Sequence, residues 1–220
     1  LVVKPRWGTA SQHIFYPESV DELVLAVKLS RLQVERSLMA HASRADMERC
    51  LLIQEKLGGH EFGLDVVNDL DGNYVTTFVK QKLGMRSGET DRASTVDNAQ
   101  LAALGKRIGH SLRHVGNLDC DLFVQGSRVA VLEMNPRFGG GYPFSHQAGA
   151  NLPAVIAAWI NGQLPRDEWL TVRPNVISSK CDRILEVASL GDIKTVGLLD
   201  VKNRHQDNAV DARTYTGVLN

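Results

Sequence analysis

The run EFGLDVVNDLDGNYVTTFVKQKL, residues 61–83, constrains this chain more than any other feature. Its two halves read as strands around Asp71-Gly72, a dipeptide suited to the positive backbone angles of a tight turn, so the segment is expected to be an antiparallel hairpin. The pleat then sorts the side chains: Phe62, Leu64 and Val66 share one face, and Glu61 and Asp65 the other. On the second strand Lys80 and Lys82 share a face with Tyr74 and Thr76, while Val75, Val79 and Leu83 face the other way; by this pattern both lysines read as solvated. A second hairpin is expected from LDCDLFVQ (118–125) and RVAVLEMN (128–135) around Gly126-Ser127.

Helical spacing separates these hairpins. Ser19 with Glu22 forms a capping box, and Val20, Leu23, Val24 and Val27 follow at helical intervals. Residues 30–49 are polar helix formers suited to a second or interrupted helix, and residues 97–115 carry Leu101, Leu104, Ile108 and Leu112. Ala154 to Ile160 reads as a further helix. Short strands are expected at Leu1 to Lys4, at LLIQEKL (51–57) before Gly58-Gly59, and at ISSKCDRILEV (177–187). Residues 5–17, the polar stretch MRSGETDRAST (85–95) and the glycine-rich PRFGGGYP (136–143) read as loops. The last thirty or so residues show no sustained period and read as an irregular tail, foreign to the domain.

Composition excludes several function classes. Lys and Arg number 25 against 25 Asp and Glu, and no window is strongly basic, which argues against a nucleic-acid partner. The longest apolar stretches, such as LPAVIAAWI (152–160), fall short of the roughly 20 residues that cross a bilayer, so no membrane role is expected. Cys50, Cys120 and Cys181 form no CxxC pair or zinc-type spacing, which points to a reducing, cytoplasmic setting. The opening LVVKP lacks both an initiator Met and a secretory pattern, and a strand-like start suggests a piece of a longer protein.

The segment LEMNPRFGGG (132–141) concentrates the chemistry. Glu133 and Asn135 lie two apart on a strand, so a carboxylate and an amide oxygen sit about 7 Å apart on one face, suited to a hard cation. Asp119 and Asp121 repeat that spacing on the preceding strand. A three-residue hairpin loop sets Asp121 opposite Glu133, whereas a two-residue loop slips the register and separates them; the spacing leaves both open. Magnesium takes oxygen ligands and usually works beside substrate phosphates, and Arg137 adds a cation next to the Gly139–Gly141 run, where backbone can approach a ligand closely.

Taken in order, VVKP (2–5), QEKLGGHEFGLDVV (54–67), GMRSGET (84–90), LDCDLF (118–123) and VLEMNPRFGGG (131–141) resemble the ATP-grasp superfamily, most closely its carbamoyl-phosphate-synthase-like carboxylate–amine ligases. The resemblance runs from about residue 1 to 162 and implies an α+β ATP-grasp fold, with antiparallel sheets and flanking helices in two subdomains that grip ATP. On this basis residues 1–50 are the remainder of the small subdomain, 51–187 the large subdomain and 188–220 the tail.

The same resemblance implies roles residue by residue. Lys4 matches the phosphate-binding cation, and Gly8 to Ser11 match the phosphate-covering loop, although relatives carry more glycines there. Gln54, Glu55, Lys56 and Leu57 match the adenine hinge, Glu61 the ribose acid, and Met85 the apolar contact to base or ribose. Arg86 is expected near the phosphates, and Arg137 at the transferring phosphoryl. Asp121, Glu133 and Asn135 match ligands for Mg2+, with Mn2+ as a possible substitute; Asp119 reads as a supporting or surface acid. His146 is the best-placed histidine for a substrate carboxylate, and His13 could touch phosphate.

The implied function is an ATP-dependent ligase that joins a small-molecule carboxylate to an amine through an acyl phosphate. The alternatives are a non-catalytic ATP-binding module and a carboxylase of the same superfamily. A homodimer, or a missing N-terminal lobe that supplies further contacts, is implied by the same relatives.

Overall fold

The computed structural model describes residues 1–8 and 11–182. Two antiparallel sheets organise them: β1 (Val2–Pro5) with β2 (Leu51–Gln54), and a six-stranded sheet in the order β7-β6-β3-β4-β5-β8. The larger sheet comprises β3 (His60–Asn68), β4 (Tyr74–Arg86), β5 (Glu89–Thr95), β6 (Gly116–Gln125), β7 (Arg128–Asn135) and β8 (Ile177–Ser179). Both expected hairpins form, and Gly72 adopts φ +79° at the first turn. Strand β2 pairs antiparallel with β1, so residues 51–54 stand in the smaller sheet and the larger one begins with β3. The expected strand at 177–187 is present as β8 at its start; residues 183–187 and the expected 188–220 tail lie outside the described residues.

Helix α1 (Val20–Glu35) begins where the capping box places it, with Ser19 Oγ accepting from the Glu22 N–H. The reciprocal arm is displaced by one residue, since Glu22 Oε2 accepts from the Glu18 N–H. The buried stripe differs from the expected one. Val20 and Val24 are exposed, and the helix instead buries Ala26, Ser30 and Val34, because Leu25, Leu29 and Leu32 make the helix apolar on more than one side. The polar stretch after it yields only the short α2 (Met39–Ser43) and a 3₁₀ turn at Met47–Arg49.

Helix α3 (Ala99–Leu112), capped by Asn98, covers one face of the large sheet. Leu101 packs there with Leu64, Val66, Val79, Leu118, Cys120 and Leu122. The opposite face is divided. At one end Val67 and Phe78 pack under α4 (Tyr142–Gln147) and α5 (Leu152–Ile160) with Tyr142, Ala150, Leu152 and Val155. At the other end the same face carries polar side chains, and this is where the cleft lies.

Three local expectations are corrected. Residues 89–95 form β5 rather than a loop, since Thr90, Ala93 and Thr95 are buried although none is strongly apolar. The glycine-rich stretch ends in α4, which starts at Tyr142 with Pro143 in its first turn. Tyr74 packs into the α3 side and Val75 into the other, because the β3–β4 register shifts between Val67 and Asn68; Tyr74 therefore does not share a face with Lys80. Among the described residues no helix is long and apolar enough to cross a membrane.

Candidate active site

Rows of side chains across the polar half of the sheet build the floor of the site. Glu133, Asp121, Gly63 and Lys80 are successive partners across β7, β6, β3 and β4; Asn135, Asp119, Asp65 and Phe78 form the next row. The β6–β7 loop has two residues, Gly126 and Ser127, yet Asp121 does pair with Glu133. A β-bulge restores the alignment: the register shifts between Asp121 and Leu122, so that Leu122 pairs with Val131 and one residue, Leu132, is extra. The bulge also brings Leu132 to the cleft wall beside Glu133, which strict alternation would forbid.

The cleft has a volume of about 1010 Å³. It gathers Lys4, Gly8, Ser11, Gln54, Glu55, Lys56, Leu57, Glu61, Met85, Asp121, Glu133, Asn135 and Arg137, the expected site residues with one exception. Arg86 does not line it; its Nε lies 2.9 Å from Asp91 Oδ1 on the adjacent strand β5. His13 and His146 are also absent from the lining; His146 Nδ1 is 3.3 Å from the Tyr142 hydroxyl. The hinge is tied to the sheet by paired hydrogen bonds of 2.6 and 2.7 Å from Arg128 to Glu55, which hold the Glu55 carboxyl below its ordinary range. Both side chains are exposed, so this pair orients the hinge more than it stabilises the fold.

Two lysines read as solvated are buried at the cleft floor. Lys82 Nζ lies 2.7 Å from both Glu61 Oε1 and Asp121 Oδ2, with its side chain 6% exposed. Burial opposes its charge, but Asp121 and then Glu61 outweigh that cost and raise its pKa above the ordinary lysine value. Lys80 is 1% exposed and donates to Asp65 at 2.5 Å, and the Ser145 hydroxyl donates to the same Asp65 oxygen. This links β4, β3 and α4 beneath the glycine run. The partners stand on a neighbouring strand and a distant helix, so alternation along β4 gave no sign of them. Gly63 and Gly141 leave room for the Lys80 stem: an added Cβ would lie 3.3 and 2.7 Å from its Cε.

Asp119 is a buried floor residue rather than a surface acid. Its Oδ2 accepts from Arg137 Nη1 at 3.1 Å, and the Asn117 amide donates to the Arg137 carbonyl. Burial, and then the charge of Asp121, push the Asp119 carboxyl above 3.8, against the pull of Lys80 and Arg137. Gly139 makes this arrangement possible, since a Cβ there would sit 2.0 Å from Asp119 Cγ. Among the described residues, no group of three or more His, Cys, Asp or Glu side chains could by itself hold a metal. The oxygen-only set Asp121, Glu133 and Asn135 nevertheless fits magnesium, which keeps few protein ligands and completes its shell with water and phosphate oxygens.

A family model described as ATP-grasp in the biosynthetic pathway with Ter operon matches residues 47–182. Three solved structures are similar to the chain. The biotin carboxylase domain of the 2-oxoglutarate carboxylase from Hydrogenobacter thermophilus, a dimer in complex with MgADP, ADP and bicarbonate, is 14% identical, matches 80% of this chain and 39% of its own, and has a TM-score of 0.61. Biotin carboxylase from Campylobacter jejuni is 13% identical over 80% of this chain and 40% of its own, with a TM-score of 0.63. The L-amino acid ligase from Bacillus licheniformis is 18% identical over 79% and 44%, with a TM-score of 0.56. At such identities the likeness establishes a shared fold, and the chain spans less than half the length of each of these proteins.

Proposed function

The chain belongs to the ATP-grasp family described for the biosynthetic pathway with Ter operon, and on that premise we propose that it is the nucleotide-gripping part of an ATP- and magnesium-dependent carboxylate–amine ligase. The observation that carries this reading is the convergence of Lys4, the 54–57 hinge, Glu61, Asp121, Glu133, Asn135 and Arg137 on one cleft.

In this reading the edge of the hinge offers backbone N–H and C=O groups to adenine, Glu61 accepts from ribose hydroxyls, and Met85 and Leu132 supply apolar contact. Lys4 and the loop around Gly8 and Ser11 meet the phosphates. Asp121, Glu133 and Asn135 hold the magnesium ion, which neutralises phosphate charge when bound. The substrate carboxylate attacks the γ-phosphorus of ATP, ADP leaves, and an acyl phosphate forms. The amine then attacks the acyl carbon; inorganic phosphate leaves and a proton passes to solvent. Arg137, fixed by Asp119 at 3.1 Å, presents a planar cation to the transferring phosphoryl, so less reorganisation is needed as charge develops. Residues 1–50 serve the phosphate side, and the hinge together with the six-stranded sheet serves adenine and metal.

Screening carboxylate and amine pairs for ADP release with magnesium tests the proposal, with Glu133→Ala as control. Coupled, amine-dependent ADP and phosphate release that vanishes in the variant supports it. Nucleotide binding with no turnover for any pair favours a binding module instead.

A further inference from the structure

Lys82 joins two acids that the proposed site uses at different ends of one ligand. Its Nζ is 2.7 Å from Glu61, on the ribose side, and 2.7 Å from Asp121, on the metal side. Glu133 faces Asp121 from the next strand, so three carboxylates crowd this end of the floor. Lys80, a buried cation of the same floor, is engaged by Asp65 and Ser145. Arg137 is engaged by Asp119 one row further on.

We infer that Lys82 is a positioning residue that serves as the resident cation of the site, holding Glu61 and Asp121 toward the cleft and competing with a divalent metal for Asp121. This rests on the metal assignment proposed above. Two opposite consequences follow from its charge. Without Lys82, Asp121 and Glu133 form an uncompensated pair of carboxylates that draws a divalent cation more strongly in the absence of nucleotide. The same loss leaves the floor more negative toward a metal-free polyphosphate. The resident cation thus suppresses metal binding until the phosphates arrive with their own share of the ligands. A lysine that only pinned the sheet together would, on removal, lower the melting temperature and weaken both ligands alike.

The test compares wild type, Lys82→Met, Lys82→Arg and Asp121→Asn. Binding of Mn2+ alone is followed by the free-ion paramagnetic resonance signal, and binding of ATP with EDTA and of MgATP by calorimetry. Lys82→Met is expected to bind Mn2+ alone about tenfold more tightly and metal-free ATP about tenfold more weakly, with Lys82→Arg close to wild type on both. Lys82→Gln replaces Lys82→Met if the latter does not fold. Unchanged or weaker Mn2+ binding in the charge-removed variant, or parallel movement of both affinities, overturns the inference. If wild type binds MgATP and Asp121→Asn loses it, an overturning result in the Lys82 variants removes the role of Lys82 alone and leaves the nucleotide reading standing. Absence of MgATP binding by wild type instead overturns the nucleotide reading and this inference with it.

Discussion

Asp121 stands opposite Glu133 across the β6–β7 ladder, although the two-residue turn between these strands would by itself set Asp121 against Leu132. The bulge that corrects the register also exposes Leu132 to the cleft, where the proposed nucleotide site gives it contact with the base or ribose. Leu132→Ala is therefore expected to weaken ATP binding by roughly 5- to 150-fold, the equivalent of about 1–3 kcal/mol for loss of apolar contact in a pocket. Its melting temperature should stay near that of wild type, because Leu132 belongs to neither apolar cluster of the large sheet. Calorimetry beside a thermal melt separates the two effects.

Gly139 and Asp119 should couple. A Cβ at 139 would meet the Asp119 carboxylate at 2.0–2.2 Å, so Gly139→Ala must push that carboxylate off Arg137. A stability loss of about 1–3 kcal/mol is expected from such overpacking. In an Asp119→Ala background the same substitution should cost clearly less. Urea unfolding of the four proteins in this cycle measures the coupling, and strict additivity would contradict the geometry.

Removing the buried Lys80 charge should be more damaging than removing the whole network. Lys80→Met leaves the Asp65 carboxyl, 0% exposed, without its lysine partner, and a loss of about 3–5 kcal/mol is expected. Lys80→Met with Asp65→Leu should recover much of this, since an apolar pair there adjoins Phe78 and Val67. Thermal and urea melts of both variants provide the comparison.

Asp119 sets a pH dependence of defined sign. Its folded pKa is raised above 3.8, first by burial and then by Asp121, so the folded state holds its proton more tightly than the unfolded chain. The stability it contributes is full below 3.8 and is lost as pH rises through the raised value. Relative to Asp119→Asn, wild type should therefore lose stability as pH climbs from about 4 toward neutrality. Melts across that range, plotted as the difference between the two proteins, should slope downward with pH.

The legible parts of this fold were those that local periodicity and turn chemistry specify. The Asp71-Gly72 turn, the Ser19 cap and the Leu101, Leu104, Ile108 part of the α3 stripe each depend on neighbours in sequence, and each is present in the structure, whereas Leu112 at the end of that stripe is exposed. Strand β5 was missed because Thr90, Ala93 and Thr95 are buried without a strongly apolar alternation. The stripe of α1 was misplaced because Leu25, Leu29 and Leu32 dilute the contrast between its faces. At the site, the residue types were readable but their partners were not. Lys82 meets Glu61 and Asp121 only through the stacking of β4, β3 and β6, and Lys80 meets Ser145 across 65 residues of chain. Arg86, which the resemblance places near the phosphates, lies beside β5 and meets Asp91 there. A single extra residue at Leu132 decided whether two acids converge, and no local signal marks a bulge of that kind.

The most direct test of the central claim is calorimetric binding of ATP in the presence and absence of magnesium, to wild type and to Glu133→Ala. The account predicts magnesium-dependent binding to wild type and at least about tenfold weaker binding to the variant, from loss of a charged metal ligand. Binding that ignores both magnesium and the Glu133 substitution, or no binding to a folded wild-type chain, would contradict it.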